Sequence, residues 1–539
     1  MAAPESVGCH ASDRWRQRVF AHLARLHFAP CTPHTPIVVH WWAHAGLGNA
    51  LGQLLLSLHF ATLHGRQLVI RRGNASSAGW VWLNASGFQP HDLLWPSSCE
   101  RHAASLPEGT RHLGQIQQIQ LRDIFCPTYG CPWANALPPE FEHSGLCVMT
   151  WYGYLLDFIL RPSERMLAWL HEHAVPHCPP GLCASDASAR WQQHRITQIH
   201  RLEAPLLLNA TAAAMPPGLW RAPLALALGA RLRLLGNQQQ PHGSPIAHPV
   251  RIGLHVRAGD ACGHSRRPAW QRPACAYTEA DGWGEGWEAR IRSWVADAAS
   301  ATGGSDVSLL LSTDSERAHR ERAEMGARLG SSSVHSFGFP RRKYASSGHF
   351  VEDRLRLDRT QSNSLDPSNM LAEALTDLTL LAHANSLIIG SLYSNFARLA
   401  LSLSHVTHAA DTPRAATLDA GWCPYHVCQA GCTDVARLCH EPMSLALSEL
   451  SGGTRGSFEA GGGVRPRRLP SLTPAELQSH APAARRPWVA LMAALLANAS
   501  GADAGDKKDA HAHLARARAA CQQAFAHASA ELGRMPLIY

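Results

Sequence analysis

One segment of this chain combines a histidine, an arginine and an aspartate at the end of an apolar strand. It reads RIGLHVRAGD, residues 251–260. His255 and Arg257 are two residues apart and therefore share one face of a strand, and Gly259 lets the backbone turn before Asp260. An arginine at a strand end is suited to bidentate, charge-assisted contacts with a diphosphate. A structural Arg–Asp pair on a surface strand is the competing interpretation.

A second polar segment ends the apolar run VSLLLSTD. Its last residues, Thr313 and Asp314, can hydrogen-bond the N–H groups of a purine base or hold ribose hydroxyls at a strand terminus. The alternative is an ordinary helix cap, because short polar side chains are also favoured just before a helix.

A third segment, GSLYSNFAR, follows the short apolar run LII. Ser391, Ser394 and Asn395 precede or begin a predicted helix, and Arg398 comes one turn later. The free N–H groups and the dipole of a helix N-terminus favour phosphate binding. In the competing interpretation Ser394 only caps its helix and Arg398 pairs with a neighbouring carboxylate.

Two further sets of residues are candidates for ligand contact. Glu373 and Asp377 lie four residues apart and therefore on one face of a predicted helix. Near the start of the chain, Gly46, Gly48 and Asn49 form a turn between a strand and a helix. Such a turn allows close approach of a ligand or of another backbone, although it lacks the full dinucleotide-binding fingerprint.

The elements around these segments predict an α/β protein. Strands and helices alternate on both sides of a polar, Pro- and Gly-containing linker at 237–248, which is the pattern of two doubly wound, Rossmann-like domains facing a cleft. The chain of 539 residues is also longer than one hydrophobic core usually serves. We expect four regions: an N-terminal helix or leader at 1–36, a first Rossmann-like domain at 37–240, a second Rossmann-like domain at 241–410, and a Cys-containing helical extension at 411–539.

Composition narrows the class of protein. Hydrophobic residues make up 45% and charged residues 17%, so the chain can bury a large core and is not globally disordered. The net charge of +8 is dispersed, which permits an anionic ligand without indicating nucleic-acid binding. No run reaches the roughly 18–20 apolar residues of a membrane-spanning helix.

The cysteines and possible glycosylation sequences point to an oxidising compartment. We predict a disulfide between Cys262 and Cys275, and two disulfides rather than zinc in the later cluster, whose spacing lacks a CxxC pair. No metal site is predicted. The cluster consists of Cys423, Cys428, Cys432 and Cys439, and Asn-x-Ser/Thr occurs at Asn74, Asn84, Asn209 and Asn498. We expect the lumen of the Golgi or endoplasmic reticulum; residues 1–30 show no signal peptide, so the cytoplasm is the alternative.

The order of these motifs resembles the GDP-fucose-dependent fucosyltransferase superfamily, which includes the α1,6-fucosyltransferases, the nodulation fucosyltransferases and the protein O-fucosyltransferases. The resemblance covers roughly residues 37–405. It rests on GLGNALGQLLLSLHFATLHGR, IGLHVRAGD, LLLSTD and LAEALTDLTLLAHANSLIIGSLYSNFARLAL.

The resemblance implies a GT-B fold and an inverting, metal-independent transfer of fucose to a glycan or glycoprotein hydroxyl, without a cofactor. Arg257 matches the arginine that grips the β-phosphate of GDP, and His255 the histidine beside the nucleotide. Asp314 falls near the family's acidic position, Asp377 matches the carboxylate that holds guanine, and Ser394 the hydroxyl on phosphate. The turn at Gly46, Gly48 and Asn49 matches the loop that faces the donor.

Three departures leave alternatives open. Ala258 stands where many α1,6 enzymes have a second arginine, the tail does not resemble their SH3 domain, and no residue is singled out by spacing as the general base. Asp260, His264, Glu279 and Asp281 lie within reach in sequence, and Asp260 is our candidate base among them. The alternatives are the same fold acting on another nucleotide sugar, and a catalytically inactive glycan-binding or scaffolding relative.

Overall fold

The structure of this protein is a computed structural model that describes a large part of the chain. The described residues are 12–32, 35–40, 47–70, 83, 86–102, 137–141, 146, 148–179, 181–183, 186–211, 220–234, 250–257, 276–278, 281–284, 286–302, 306–339, 367–390, 394–407 and 414–418. They all belong to one compact unit, formed by Met1–Ile124 with Ala136–Asp419. The predicted linker at 237–248 lies outside the described residues, and so does the second unit, Phe125–Asn135 with Ala420–Ile538. The division into domains near 240 therefore stays a prediction.

Helices and parallel strands alternate along the described chain, which confirms the α/β class. The strands are β1 (Ile37–His40), β2 (Gln67–Ile70), β3 (Val250–Val256), β4 (Tyr277–Thr278), β5 (Gly282–Trp283), β6 (Val307–Thr313), β7 (Ser333–His335), β8 (Leu387–Gly390) and β9 (Arg414–Thr417). The helices are α1 (Asp13–His27), α2 (Leu47–Leu63), α3 (Pro90–Leu93), α4 (Ser98–His102), α5 (Val148–Ile159), α6 (Glu164–Ala174), α7 (Asp186–Thr211), α8 (Leu224–Leu232), α9 (Trp287–Thr302), α10 (Glu316–Arg320), α11 (Arg322–Leu329), α12 (Pro367–Ala382) and α13 (Asn395–Thr407).

The main sheet has five parallel strands in the order β7-β6-β3-β8-β9. Strands β3 and β6 are buried along their whole length, as expected for a parallel sheet that helices cover on both faces. On one face, Ile252 and Leu254 of β3 join a core cluster with Ile291 of α9 and Met325 of α11. On the other face α12 approaches so closely that a Cβ on Gly253 would lie 3.3 Å from Leu381.

The first part of the chain forms a β1-α2-β2 unit whose two strands pair in parallel, as the sequence predicts. A disulfide between Cys31 and Cys99 joins the chain before β1 to α4. Cys178 and Cys183 form a second disulfide within the described residues, consistent with the predicted close cysteine pairs. The predicted Cys262–Cys275 bridge and the later cysteine cluster lie outside the described residues.

A buried ion-pair network joins α1, α5 and α7. The guanidinium of Arg161 donates to Glu203 at 2.7 and 3.0 Å, and Arg16 donates to Asp157 and, at 3.4 Å, to Glu203. Two arginines face two carboxylates, so the buried charges balance, and removing one partner would leave an uncompensated charge. Arg16 also donates to the carbonyl oxygen of Val406 at 3.2 Å, which fixes the last turn of α13.

Helix α13 is held most closely by α5. An ideal Cβ on Gly153 would lie 2.2 Å from the carbonyl oxygen of Ser402, so only a glycine allows the two helices to approach this far. Among the described helices none is long and apolar enough to cross a membrane.

Candidate functional site

The candidate site lies where β3, β6 and β8 end at the same edge of the sheet. His255 of β3 is level with Ser312 of β6 and with Gly390 of β8. The carboxyl edge of such a sheet is where ligands bind in doubly wound proteins. Three polar segments that are widely separated in the sequence therefore come together at this edge.

His255 is the centre of this edge. Its side chain is only 7% exposed, and its Nδ1 atom is buried without a hydrogen-bond partner among the described residues. Burial, with a contribution from the nearby charge of Arg257, lowers the pKa of His255 to about 3. The ring is therefore neutral at physiological pH and can donate or accept a hydrogen bond but carries no charge.

Arg257 directly follows β3 and is half-buried. Its positive charge is close enough to lower the pKa of His255, which places both groups at one edge of the sheet. A guanidinium beside a neutral imidazole, with a helix N-terminus nearby, can bind an oxyanion through charge-assisted hydrogen bonds.

The first turn of α2 reaches the same edge. An ideal Cβ on Gly48 would lie 3.1 Å from the backbone nitrogen and 3.2 Å from the Cβ of Phe396, at the start of α13. The ring of Phe396 in turn stacks on the His255 ring, with centroids 5.4 Å apart and an interplanar angle of 29°. The structure thus joins the glycine turn near residue 48 to the histidine and serine segments, through a phenylalanine.

Asp377 lies below this edge on α12. It is 3% exposed and accepts a hydrogen bond of 3.0 Å from the hydroxyl of Ser312. Its Oδ2 atom thus supports the end of β6. Its predicted contact with guanine remains a prediction.

At the end of β6 the structure shows a helix cap, one of the two interpretations of the STD segment, and contact with a base or ribose stays a prediction. Thr313 is 1% exposed and its hydroxyl accepts a hydrogen bond of 3.0 Å from the backbone nitrogen of Ser315. Ser315 caps α10 by accepting from the nitrogen of Ala318 at 2.9 Å. Asp314, between them, is half-buried.

Of the remaining predicted site residues, two are buried in the structure, and the others lie outside the described residues or have side chains that the structure does not describe. Ser394 and Arg398 are 3% and 4% exposed at the start of α13. The positions outside the described residues are Gly46, Gly259, Asp260 and Ser391. Asn49 and Asn395 lie in the first turns of α2 and α13, and their side chains are not among the described ones.

Sequence reasoning missed Phe396. Its ring is at an ordinary apolar position of a helical pattern, so only its place two residues after Ser394 could have drawn attention to it. Ser312 could have been found by strand alternation, because it is on the opposite face from Thr313 and the same face as His255.

Comparison with known proteins supplies no relative: no family model matches this chain, and no curated protein matches it significantly. Within the described parts of the chain, no group of three or more His, Cys, Asp or Glu side chains is arranged to hold a metal ion. The functional argument therefore rests on the geometry of the edge formed by β3, β6 and β8.

Proposed function

We propose that this protein is a glycosyltransferase of the GT-B class that transfers fucose from GDP-fucose to a hydroxyl of a glycan or glycoprotein. The observation that carries the proposal is the convergence at one sheet edge of Arg257, the buried neutral His255 and the start of α13. An anionic diphosphate matches the charge of the arginine and the dipole of the helix N-terminus. The order of the motifs along the chain supports fucose as the sugar.

In the proposed reaction the acceptor hydroxyl attacks the anomeric carbon of fucose from the side opposite GDP. The new carbon–oxygen bond forms as the bond from that carbon to the phosphate oxygen breaks, so the configuration inverts. Arg257 binds the β-phosphate and stabilises the negative charge that develops on departing GDP. The hydroxyl proton passes to a general base, for which we propose Asp260.

His255 contributes to donor binding without adding charge. Because the ring is neutral, its role beside the nucleotide is a directional hydrogen bond to a donor oxygen or hydroxyl. The opposing charge for the diphosphate then comes from Arg257 and the dipole of α13.

We propose the secretory lumen as the compartment. Disulfides persist in oxidising compartments, and the Cys31–Cys99 and Cys178–Cys183 bridges are compatible with that environment. The two-domain GT-B arrangement, with its boundary near residue 240, is part of this proposal.

Thermal unfolding with a panel of nucleotides tests the donor. We expect GDP to raise the unfolding temperature of the protein, since a ligand that binds only the folded state stabilises it, and UDP and ADP to raise it much less. If UDP or ADP raises the unfolding temperature more than GDP does, the donor is another nucleotide sugar and not GDP-fucose.

The inactive-relative alternative is favoured by Ala258 and by the lack of an evident base. It predicts GDP binding without release of fucose from GDP-fucose. Measuring fucose release or transfer by the purified protein separates the two, because any turnover above that of Arg257→Ala requires an active site.

A further inference from the structure

Phe396 lies at the start of α13 and contacts both β3 and α2 beside the candidate site. Its ring stacks on His255 of β3, with centroids 5.4 Å apart, and its own backbone begins α13. Its Cα and Cβ atoms would lie 3.3 and 3.2 Å from a Cβ on Gly48, so α2 rests directly against this residue. Phe396 thus contacts α2 through its backbone and Cβ atom, and the His255 ring through its own ring.

Packing holds the His255 ring, because no described residue hydrogen-bonds its buried Nδ1 atom. On the β8 side, an ideal Cβ on Gly390 would lie 3.1 Å from the Cβ of His255, so that strand also closes tightly around it. Ser312 is level with His255 on the β6 side. Phe396 stacks on the His255 ring, so its side chain contributes to the orientation of that ring and to its exclusion from water.

We propose that Phe396 is a positioning residue that holds the neutral His255 ring in the orientation in which it meets the nucleotide. The contact between His255 and the nucleotide rests on the proposed function. The packing of Phe396 against the His255 ring does not depend on it. A stacked aromatic ring adds attraction beyond area burial and excludes water from the imidazole, which disfavours its charged form.

The charged and titratable groups around His255 lie on or directly after strands β3 and β6 and helices α2, α12 and α13. They are Arg251, Arg257, Asp314, His59, His64, Glu373, Asp377, His383, Arg398 and His405. Of these, Arg257 acts on His255 and lowers its pKa, in the same direction as burial, which is the larger cause. Loss of the ring of Phe396 admits water and should therefore raise that pKa toward its usual value of 6.5.

The test is a proton NMR titration of His255 in the full chain, with the signal identified by its loss in His255→Gln. In the wild type we expect no His255 titration between pH 5 and 8. In Phe396→Leu, which keeps an apolar side chain but removes the ring, we expect the pKa to rise from about 3 to above about 5, so that His255 titrates within this range. Phe396→Tyr keeps the ring and should behave as the wild type.

A second measurement connects this to the ligand. GDP affinity at pH 7.5 should fall about threefold to tenfold in Phe396→Leu, and should become pH-dependent only in that variant. Phe60→Leu is the matched control, because it removes another Phe–His ring pair, between Phe60 of α2 and His64 just after that helix, whose ring centroids are 4.2 Å apart.

Two results would overturn the inference. One is titration of His255 near pH 6.5 in the wild type, and the other is an unchanged pKa of His255 in folded Phe396→Leu. If Phe396→Leu does not fold, the wild-type and Phe396→Tyr titrations decide the matter. The NMR measurement needs no nucleotide. If the protein does not bind GDP, the proposed function is refuted. The NMR titration then still decides whether Phe396 holds the His255 ring.

Discussion

Replacement of Arg257 by alanine is expected to weaken GDP binding about a hundredfold and to remove detectable fucose transfer. In the proposed function, Arg257 supplies the charge-assisted hydrogen bonds that hold the β-phosphate and stabilise it as it leaves. Neutral His255 cannot replace that charge, because its pKa of about 3 keeps the ring unprotonated at neutral pH. Isothermal titration calorimetry of GDP into wild type and variant measures the effect on binding.

Two controls make the result specific to the diphosphate. Arg257→Lys keeps the charge and loses the bidentate geometry, so its affinity should lie between those of wild type and alanine variant. Arg328→Ala removes an exposed arginine on α11 that pairs with Glu288 at 3.0 Å, and should leave GDP binding unchanged. Equal GDP affinity in wild type and a folded Arg257→Ala would refute the role assigned to Arg257.

The second large effect is expected at Gly153, where α5 meets α13. In Gly153→Ala the new Cβ would lie 2.2 Å from the carbonyl oxygen of Ser402 and 2.9 Å from a methyl carbon of Val406. The helices must move apart, and overpacking of this kind costs about 1–3 kcal/mol, opposed by about 1 kcal/mol of helix propensity gained over glycine. We expect a net loss of folding stability, measured as a lower urea midpoint.

The displacement should extend to the candidate site, because α13 begins there at Asn395. Weaker GDP binding is therefore expected together with the lower stability. Gly338→Ala is the control, since its nearest described neighbours would be the carbonyl oxygen and Cα of His177 at 3.4 and 3.9 Å, which are ordinary contact distances. An unchanged urea midpoint in Gly153→Ala would contradict the tight packing of α5 on α13.

The strands of the main sheet were the part of the fold most open to sequence prediction. Buried parallel strands are continuous apolar runs, and those ending at Val256, Thr313 and Gly390 were predicted to within one residue. Strand β9, beyond residue 410, was not predicted, because its sequence RAAT has no apolar run and its pairing with β8 is a tertiary effect.

Helix boundaries were less predictable where tertiary contacts decide them. The sequence pattern of residues 315–329 predicts one continuous helix, but the helix is broken at Glu321, between α10 and α11, so this prediction is wrong. The pattern of residues 50–64 likewise predicts a helix that begins at residue 50, whereas α2 begins at Leu47. Gly48 is thus inside the helix, where its lack of a side chain makes room for Phe396.

The sequence indicates which segments belong to the candidate site, but it does not indicate which of their residues contact one another. Alternation placed His255 and Arg257 on one face of a strand, and the order of motifs indicated which strand ends mattered. The hydrogen bond from Ser312 to Asp377 joins residues 65 positions apart, and the Cys31–Cys99 bridge joins residues 68 apart. No local pattern encodes such pairings.

Hydrogen–deuterium exchange of the protein with and without saturating GDP tests the central claim most directly, because it reports where the nucleotide slows local opening of the backbone. We predict slower exchange in peptides that cover the end of β3 through Arg257 and the first turn of α13, with no change in α6. Unchanged exchange at this sheet edge, or protection confined to other parts of the chain, would contradict a nucleotide site there.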